Sequence, residues 1–231
     1  MTCHHEVMPR RPTGAPNGRP PRTSKSEILA AARLLIDQDG WERLTVRRLA
    51  AEVGTSPATV YYHVRDKGDL LVQLFSDYAD RIPRAELPDD PRQRILAAAT
   101  LIHDALAAWP WAVEILTADD LLGDSALWLV EAILAGAADA GCTPSAAVRL
   151  YRHIWTYTVG EILIRASRNR RQAELDGQPT YRDQAFASLD PATYPQITSL
   201  AASWPALTSQ DTYTEGVWAI INGSLNPARP S

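Results

Sequence analysis

LTVRRLAAEVGTSPATVYYHVRDKGDLL, running from Leu44 to Leu71, is the stretch on which the reading of this chain turns. Thr45 has the hydroxyl an N-cap needs, and Val46 to Val53 carries Leu49, Ala50 and Val53 at helical spacing. Gly54 then supplies the positive φ at which such a helix ends. Ser56 caps the next helix and Pro57 takes its first position, so a short helix is predicted from Pro57 to His63. Two short helices joined by a glycine-containing turn make a helix-turn-helix, whose second member is narrow enough to enter the DNA major groove.

Working outward, Ser24-Lys-Ser-Glu27 has the spacing of a capping box. Ile28, Ala31, Ala32, Leu35 and Ile36 follow at helical spacing, and Gly40 stands where a left-handed C-cap is expected. On the other side, Asp66 caps a helix bearing Leu70, Leu71, Leu74 and Phe75. The reader is therefore a three-helix unit leading into a fourth helix.

In the second helix of the motif, Val60 and Val64 suit the packed side. Ala58, Thr59, Tyr61, Tyr62 and His63 are too many polar and aromatic groups for the core of so short an element. Thr59 and an exposed tyrosine can donate to phosphate or touch a thymine methyl. Arg47 and Arg48 open the preceding helix, where one reaches the groove and the other a phosphate. Lys67 lies in the first turn of the fourth helix, where the dipole also favours phosphate. The candidate DNA-facing set is Thr45, Arg47, Arg48, Ser56, Pro57, Ala58, Thr59, Tyr61, Tyr62, His63 and Lys67. Tyr61 is the leading aromatic contact, Tyr62 is shared between packing and phosphate, and His63 reads equally as a lone surface histidine.

Charge supports a nucleic-acid partner. The chain of 231 residues nets −4, but residues 1–67 carry eleven Lys/Arg against seven Asp/Glu, and the remainder twelve against twenty. A cationic end on an acidic body suits phosphate binding. Residues 1–23 are Pro-, Gly- and Arg-rich and cannot bury enough apolar surface to fold. They read either as a basic arm along DNA or as a solubilising tail. There is no apolar run of spanning length and no secretory pattern, so no membrane is expected and the cytoplasm is the default compartment. Two cysteines, Cys3 and Cys142, make neither a disulfide framework nor a zinc cluster.

Beyond Pro83 the pattern stays helical. Helices are predicted from Asp90-Pro91 to before Pro110, from Trp111 to Thr117, and from Asp124 or Ser125 to Gly141. A long one follows from Thr143-Pro144 to Glu174, with Val148, Tyr151, Trp155, Val159 and Ile162 on one face. Residues 175–195 read as the least structured part, and Ser209 as the cap of a final helix holding Val217, Ile220, Ile221 and Leu225. The fold class is all-α: a flexible arm (1–23), a helix-turn-helix domain (24–70), and a larger helical domain (71–231), to which the resemblance described below assigns effector binding and dimerisation.

The body is rich in aromatic residues, among them Tyr157, Trp204 and Trp218. An apolar cavity with a few polar groups is what a small-molecule site requires, and the pocket candidates are His103, Trp109, Trp111, Trp128 and Trp155. The same residues also fit core or dimer-interface positions, with Trp109-Pro-Trp111 a rigid corner between helices. His103 and His153 have no third ligand at suitable spacing, so no metal is expected. Asp89-Asp90 and Asp119-Asp120 read as caps and loops. No nucleophile–base pair is legible, and GxGxxG and GxxxxGK[ST] are absent, so neither a cofactor nor an enzymatic activity is expected.

The motif resembles the tetracycline-repressor (TetR) family through Leu44-Thr45-Val46-Arg47-Arg48-Leu49-Ala50, Val53-Gly54, Tyr61-Tyr62-His63-Val64 and Lys67-Gly68-Asp69-Leu70-Leu71. The likeness covers about Ser26 to Phe75. More weakly, Tyr213 to Leu225 resembles the closing helix of the tetracycline-binding subgroup, which implies a four-helix dimer interface built from Val148–Ile164 and Val217–Leu225 of two subunits. The resemblance implies a homodimeric regulator, a repressor first, that holds a palindromic double-stranded operator and is released by a small-molecule effector. Release then works by shifting the recognition helices off the roughly 34–36 Å groove repeat. An activator of the same fold, or a helical interaction or coregulator module, are the alternatives. Two departures stand out. Asp80-Arg81-Ile82-Pro83 has no histidine where tetracycline receptors help hold magnesium–drug, and Pro57-Ala58 occupy positions where relatives read bases.

Overall fold

Local capping explains where the helices begin. The computed structural model describes residues 23–118 and 124–226. Helix α1 (Lys25–Asp39) passes through a 3-10 turn at Trp41–Arg43 into α2 (Val46–Val53), α3 (Pro57–His63) and α4 (Lys67–Ala79). Next come α5 (Pro91–Ala107), α6 (Pro110–Ala118), a 3-10 turn at Asp124–Ala126, α7 (Leu127–Asp139) and the long α8 (Pro144–Leu175). Three short helices follow, α9 (Tyr181–Ala187), α10 (Pro195–Leu200) and α11 (Trp204–Thr208), before α12 (Tyr213–Leu225). No strand occurs among the described residues, and the fold is all-α.

The capping box of α1 is complete: the Glu27 amide donates to Ser24 Oγ at 3.2 Å, and the Ser24 amide to the Glu27 carboxylate at 2.7 Å. Thr45, Ser56 and Asp66 accept from Arg48, Thr59 and Asp69 amides at the starts of α2, α3 and α4. Each satisfies an otherwise orphaned N–H and contributes about 1 kcal/mol. Gly54 sits at φ 70°, ψ 33°, the left-handed position that turns α2 into α3. Gly40 departs from expectation. Its φ of 83° is positive, but ψ of 155° takes it out of the left-handed helical region, because the chain opens there into the 3-10 turn.

Two apolar clusters hold the molecule. The first joins Ile28, Leu49, Val60, Leu70 and Leu74 and also takes in Ala112 and Ile115 from α6. The second packs α5, α7, α8 and α12 through Ile95, Ile133, Leu150, Ile154, Val217 and Ile221. At the α5–α7 crossing the backbones come so close that a Cβ on Gly136 would lie 2.8 Å from Ile95 Cγ1 and 2.9 Å from the Pro91 carbonyl. Only glycine fits there.

Several expectations for the body are corrected. The buried face of α8 is Ala147, Leu150, Ile154, Thr158 and Ile162, while Val148 is exposed and Tyr151, Trp155 and Val159 are half-buried. Neighbours on three sides, not periodicity alone, set that face. Residues 175–195 contain α9, begun by a Thr180–Asp183 capping box, and are followed by α10 and α11. Ser209 ends α11 rather than opening the last helix; α12 starts after Thr212, and Asp211 accepts the Tyr213 amide at 3.1 Å. Helix α7 stops at Asp139, two residues short of Gly141. The basic arm up to residue 22 and the Asp119-Asp120 pair lie outside the described residues. No single helix among the described residues is long and apolar enough to cross a bilayer.

Candidate nucleic-acid interface and ligand cavity

Helix α3 is anchored from below and open above. Val60 and Val64 are 0% and 1% exposed, locking the helix onto the first cluster. That leaves Ser56, Pro57, Ala58, Tyr61 and Tyr62 on the outer side, with Thr59 and His63 half-buried. Tyr61 is 55% exposed and Tyr62 86%. The packing half of the role expected for Tyr62 is thus corrected: its ring meets only the edge of His63, at 5.2 Å. Its side chain points away from the core because Val60 and Val64 take the buried positions. The Thr59 hydroxyl lies 3.0 Å from Ser56 Oγ, and the His63 carbonyl accepts from Gln73 Nε2 at 3.2 Å.

The basic residues divide. Arg47 is exposed and makes no ion pair among the described residues, and Thr45 is exposed beside it. Arg48 instead turns back to Asp39 on α1 and donates to the Arg43 carbonyl at 3.4 Å. The Arg48 hydrogen bond holds the Asp39 carboxyl below its usual pKa. Lys67 is half-buried, its Nζ 4.9 Å over the Trp41 ring and donating to the Glu42 carbonyl at 3.3 Å. Arg65, absent from the candidate set, is strongly exposed in the link between α3 and α4 and pairs with Asp69 at 3.5 Å. Its position one residue beyond Val64 was the available signal.

Between α4 and the body lies a cavity of about 320 Å³. Phe75 and Tyr78 come from α4, Ile102 and Leu106 from α5, Leu129 and Val130 from α7, and Tyr151 and Trp155 from α8. Trp109 lines it at the α5–α6 corner, where the helix axes bend by 107° and its ring centroid lies 3.8 Å from that of Tyr78. Of the five pocket candidates, the structure brings together Trp109 and Trp155. Trp111 packs instead against Phe75, at 6.2 Å, inside the first cluster. Trp128 lies under the Arg84 guanidinium at 5.4 Å and packs against the second cluster.

His103 is buried elsewhere, because α5 turns it toward α8 and α12. Its Nε2 lies 2.8 Å from Glu161 and its Nδ1 3.0 Å from Asp104, while its ring stacks on Tyr213 at 3.8 Å. Phe75, Tyr78 and Tyr151 line the cavity without being among the candidates; Phe75 and Tyr78 stand at i,i+3, and Tyr151 stands at i,i+4 from the candidate Trp155. That spacing marks a helix face but does not say what the face encloses.

Helix α4 serves both regions. Leu70, Leu71 and Leu74 belong to the first cluster, and Phe75 and Tyr78 belong to both that cluster and the cavity wall. Arg33 of α1 pairs with Asp77, and its guanidinium stands 5.0 Å over the Tyr78 ring. Burial pushes the Tyr78 hydroxyl's pKa up to about 12, so it stays protonated.

This arrangement matches known proteins along almost its whole length. Residues 28–74 match the family described as bacterial regulatory proteins, tetR family, and residues 84–224 match the tetracyclin repressor-like C-terminal domain. The chain belongs to the tetracycline-repressor family. Among its TetR relatives, the transcriptional repressor DrrR1 of Streptomyces coeruleorubidus is 31% identical over 159 residues, covering 65% of this chain and 56% of that protein. The class A tetracycline repressor from transposon 1721 of Escherichia coli is 29% identical over 141 residues, 59% of this chain and 64% of that protein. The Streptomyces coelicolor TetR protein ActR, solved in complex with actinorhodin, superposes with a TM-score of 0.73 at 23% identity, over 90% of this chain and 97% of that one. This last likeness is one of fold. DrrR1 is named as a transcriptional repressor and the transposon 1721 protein as a tetracycline repressor.

Proposed function

We propose that the protein is a homodimeric, cytoplasmic repressor that grips a palindromic operator through α3 and lets go when a small molecule enters the cavity beside α4. The observation that carries this reading is the two-sidedness of α3: Val60 and Val64 are buried, while Tyr61 and Tyr62 are exposed. A helix held that firmly with two aromatic hydroxyls outward suits insertion in a major groove. Tyr61, Tyr62, Thr59 and Arg47 are the principal contacts, with Thr45, Ser56, Pro57, Ala58 and His63 around them. Arg48 and Lys67 act mainly by bracing the reader, since Arg48 is tied to Asp39 of α1 and Lys67 to the 3-10 turn.

Residues 24–70 form the reader and 71–231 the sensor, with α4 as the shared beam. Dimerisation uses α8 and α12, on which Val148, Ile164 and Trp218 remain 50%, 71% and 38% exposed in the single subunit. Val217, Ile154 and Ile162 are consumed inside the subunit, so the interface is narrower than the sequence spans imply. The repressor role of DrrR1 and the small-molecule complex of ActR support the reading.

The test is footprinting of the purified protein on DNA flanking its own gene. A protected palindrome with strong salt dependence is expected, together with a dimer by light scattering. No protection on any such DNA, with the dimer intact, would favour the coregulator alternative.

A further inference from the structure

On the reading of the chain as an effector-released regulator, the cavity walls narrow what the effector is. Five of the fifteen lining residues are aromatic, against 7% of the whole chain. None of these lining residues is an acid, a base, a histidine or a cysteine. A metal ion would find no ligand among them, and a charged group would lose its water without gaining a counter-ion.

Two ionisable groups that adjoin lining residues are committed elsewhere. Arg33, which stands over the Tyr78 ring and is not a lining residue, is paired with Asp77. His103, next in sequence to the lining residue Ile102, is held by Glu161 and Asp104 on the side facing Tyr213. What the walls offer instead is flat π surface from Phe75, Tyr78, Trp109, Tyr151 and Trp155, which favours stacked or edge-on rings. The Tyr78 hydroxyl is buried without a hydrogen-bond partner among the described residues, and the Tyr151, Trp109 and Trp155 side chains donate to no described residue, so the lining holds uncommitted donors suited to a ligand's oxygen atoms. Burial raises the Tyr151 pKa, which keeps that hydroxyl a donor. A volume of about 320 Å³ sits at the small end of ligand sites, enough for a compact fused-ring molecule.

We propose that the effector is an uncharged, flat aromatic molecule with oxygen acceptors, bound without a metal ion. The test is calorimetric titration of the full chain with one ring system in three charge states: anthracenemethanol, anthracenecarboxylate and aminomethylanthracene. Adamantanemethanol serves as a neutral control without aromatic rings. The neutral anthracene should bind at least about tenfold tighter than each of the other three, since an unpaired charge is penalised on burial. Its affinity should not change between excess magnesium and EDTA. Trp155→Leu, which keeps an apolar wall and removes a ring, should weaken it several-fold with the thermal melt preserved.

Equal or tighter binding of either ion or of adamantanemethanol, a requirement for magnesium, or no binding by any anthracene would overturn the proposal. Operator release is read separately, by anisotropy of labelled DNA. Tight, charge-selective binding without release leaves the ligand class standing and removes the effector role.

Discussion

The reader and the body are built from the same kind of helix, yet they expose opposite things. In the reader, short helices bury one narrow stripe and turn their chemistry outward: Val60 in, Tyr61 and Tyr62 out. In the body, longer helices turn aromatic residues inward around a space no single element defines, as Tyr78, Trp109 and Trp155 do. A surface that must meet DNA can be written along one helix. A cavity has to be assembled from several.

The largest effects should come from where each region is packed hardest. Leu49→Ala empties a fully buried site in the reader and should cost about 2–5 kcal/mol in urea unfolding. Gly136→Val drives a side chain into Ile95 and the Pro91 carbonyl, and should cost about 1–3 kcal/mol and disturb the body first. If both variants lowered operator and ligand affinity equally at temperatures where they stay folded, the two regions would not be the distinct units described.

Next in size are the outward residues. Tyr61→Ala and Tyr62→Ala should each weaken operator binding by about tenfold. The unfolding midpoint should hardly move, because both rings are exposed. A large stability loss in either variant would return that tyrosine to a packing role.

The two adjacent arginines sharpen the contrast further. Arg47→Ala should reduce the salt dependence of operator binding by about one unit of log–log slope. Arg48→Ala should leave the slope alone and slightly loosen α2 from α1, because its partner is Asp39. Equal slopes lost by both would show that Arg48 swings out to phosphate.

The smallest effect concerns Asp69, whose carboxyl is held below its ordinary pKa mainly by the Arg65 amide hydrogen bond. Its folded value lies under the unfolded one of about 3.9. The stability it adds is therefore present at neutral pH and lost as pH falls through the depressed value. The difference in unfolding midpoint between wild type and Asp69→Asn should shrink on acidification. A difference that grew in acid would reverse the sign.

How far each part could be read in advance follows from the range of the interactions that decide it. Thr45, Ser56, Gly54 and Asp66 act within three or four residues, so α2, α3 and the start of α4 lie where capping chemistry predicts. Spacing does not fix the covered face of α8, because Val148 and Leu150 are both strongly apolar and the helices packed on α8 decide which is covered. Ser209 was misassigned as a cap because α11 intervenes, a helix with no side-chain cap bond of its own. Trp111, Trp128 and His103 were indistinguishable from Trp109 and Trp155 by type and spacing. Their different neighbours separate them.

By itself, then, the sequence determined the all-α class, the helix-turn-helix between Leu44 and Leu71, and the family whose pattern those residues follow. Caps, turn glycines and periodicity are local, and each acts within about one turn of helix. Tertiary structure alone decided that Arg48 is tied to Asp39 and Lys67 to the Trp41–Arg43 turn, that α4 belongs to both regions, and which aromatics enclose the cavity. Those outcomes depend on contacts beyond one turn of helix, nine residues for Arg48 with Asp39 and tens of residues for Tyr78 with Trp109, and no capping or spacing pattern encodes them.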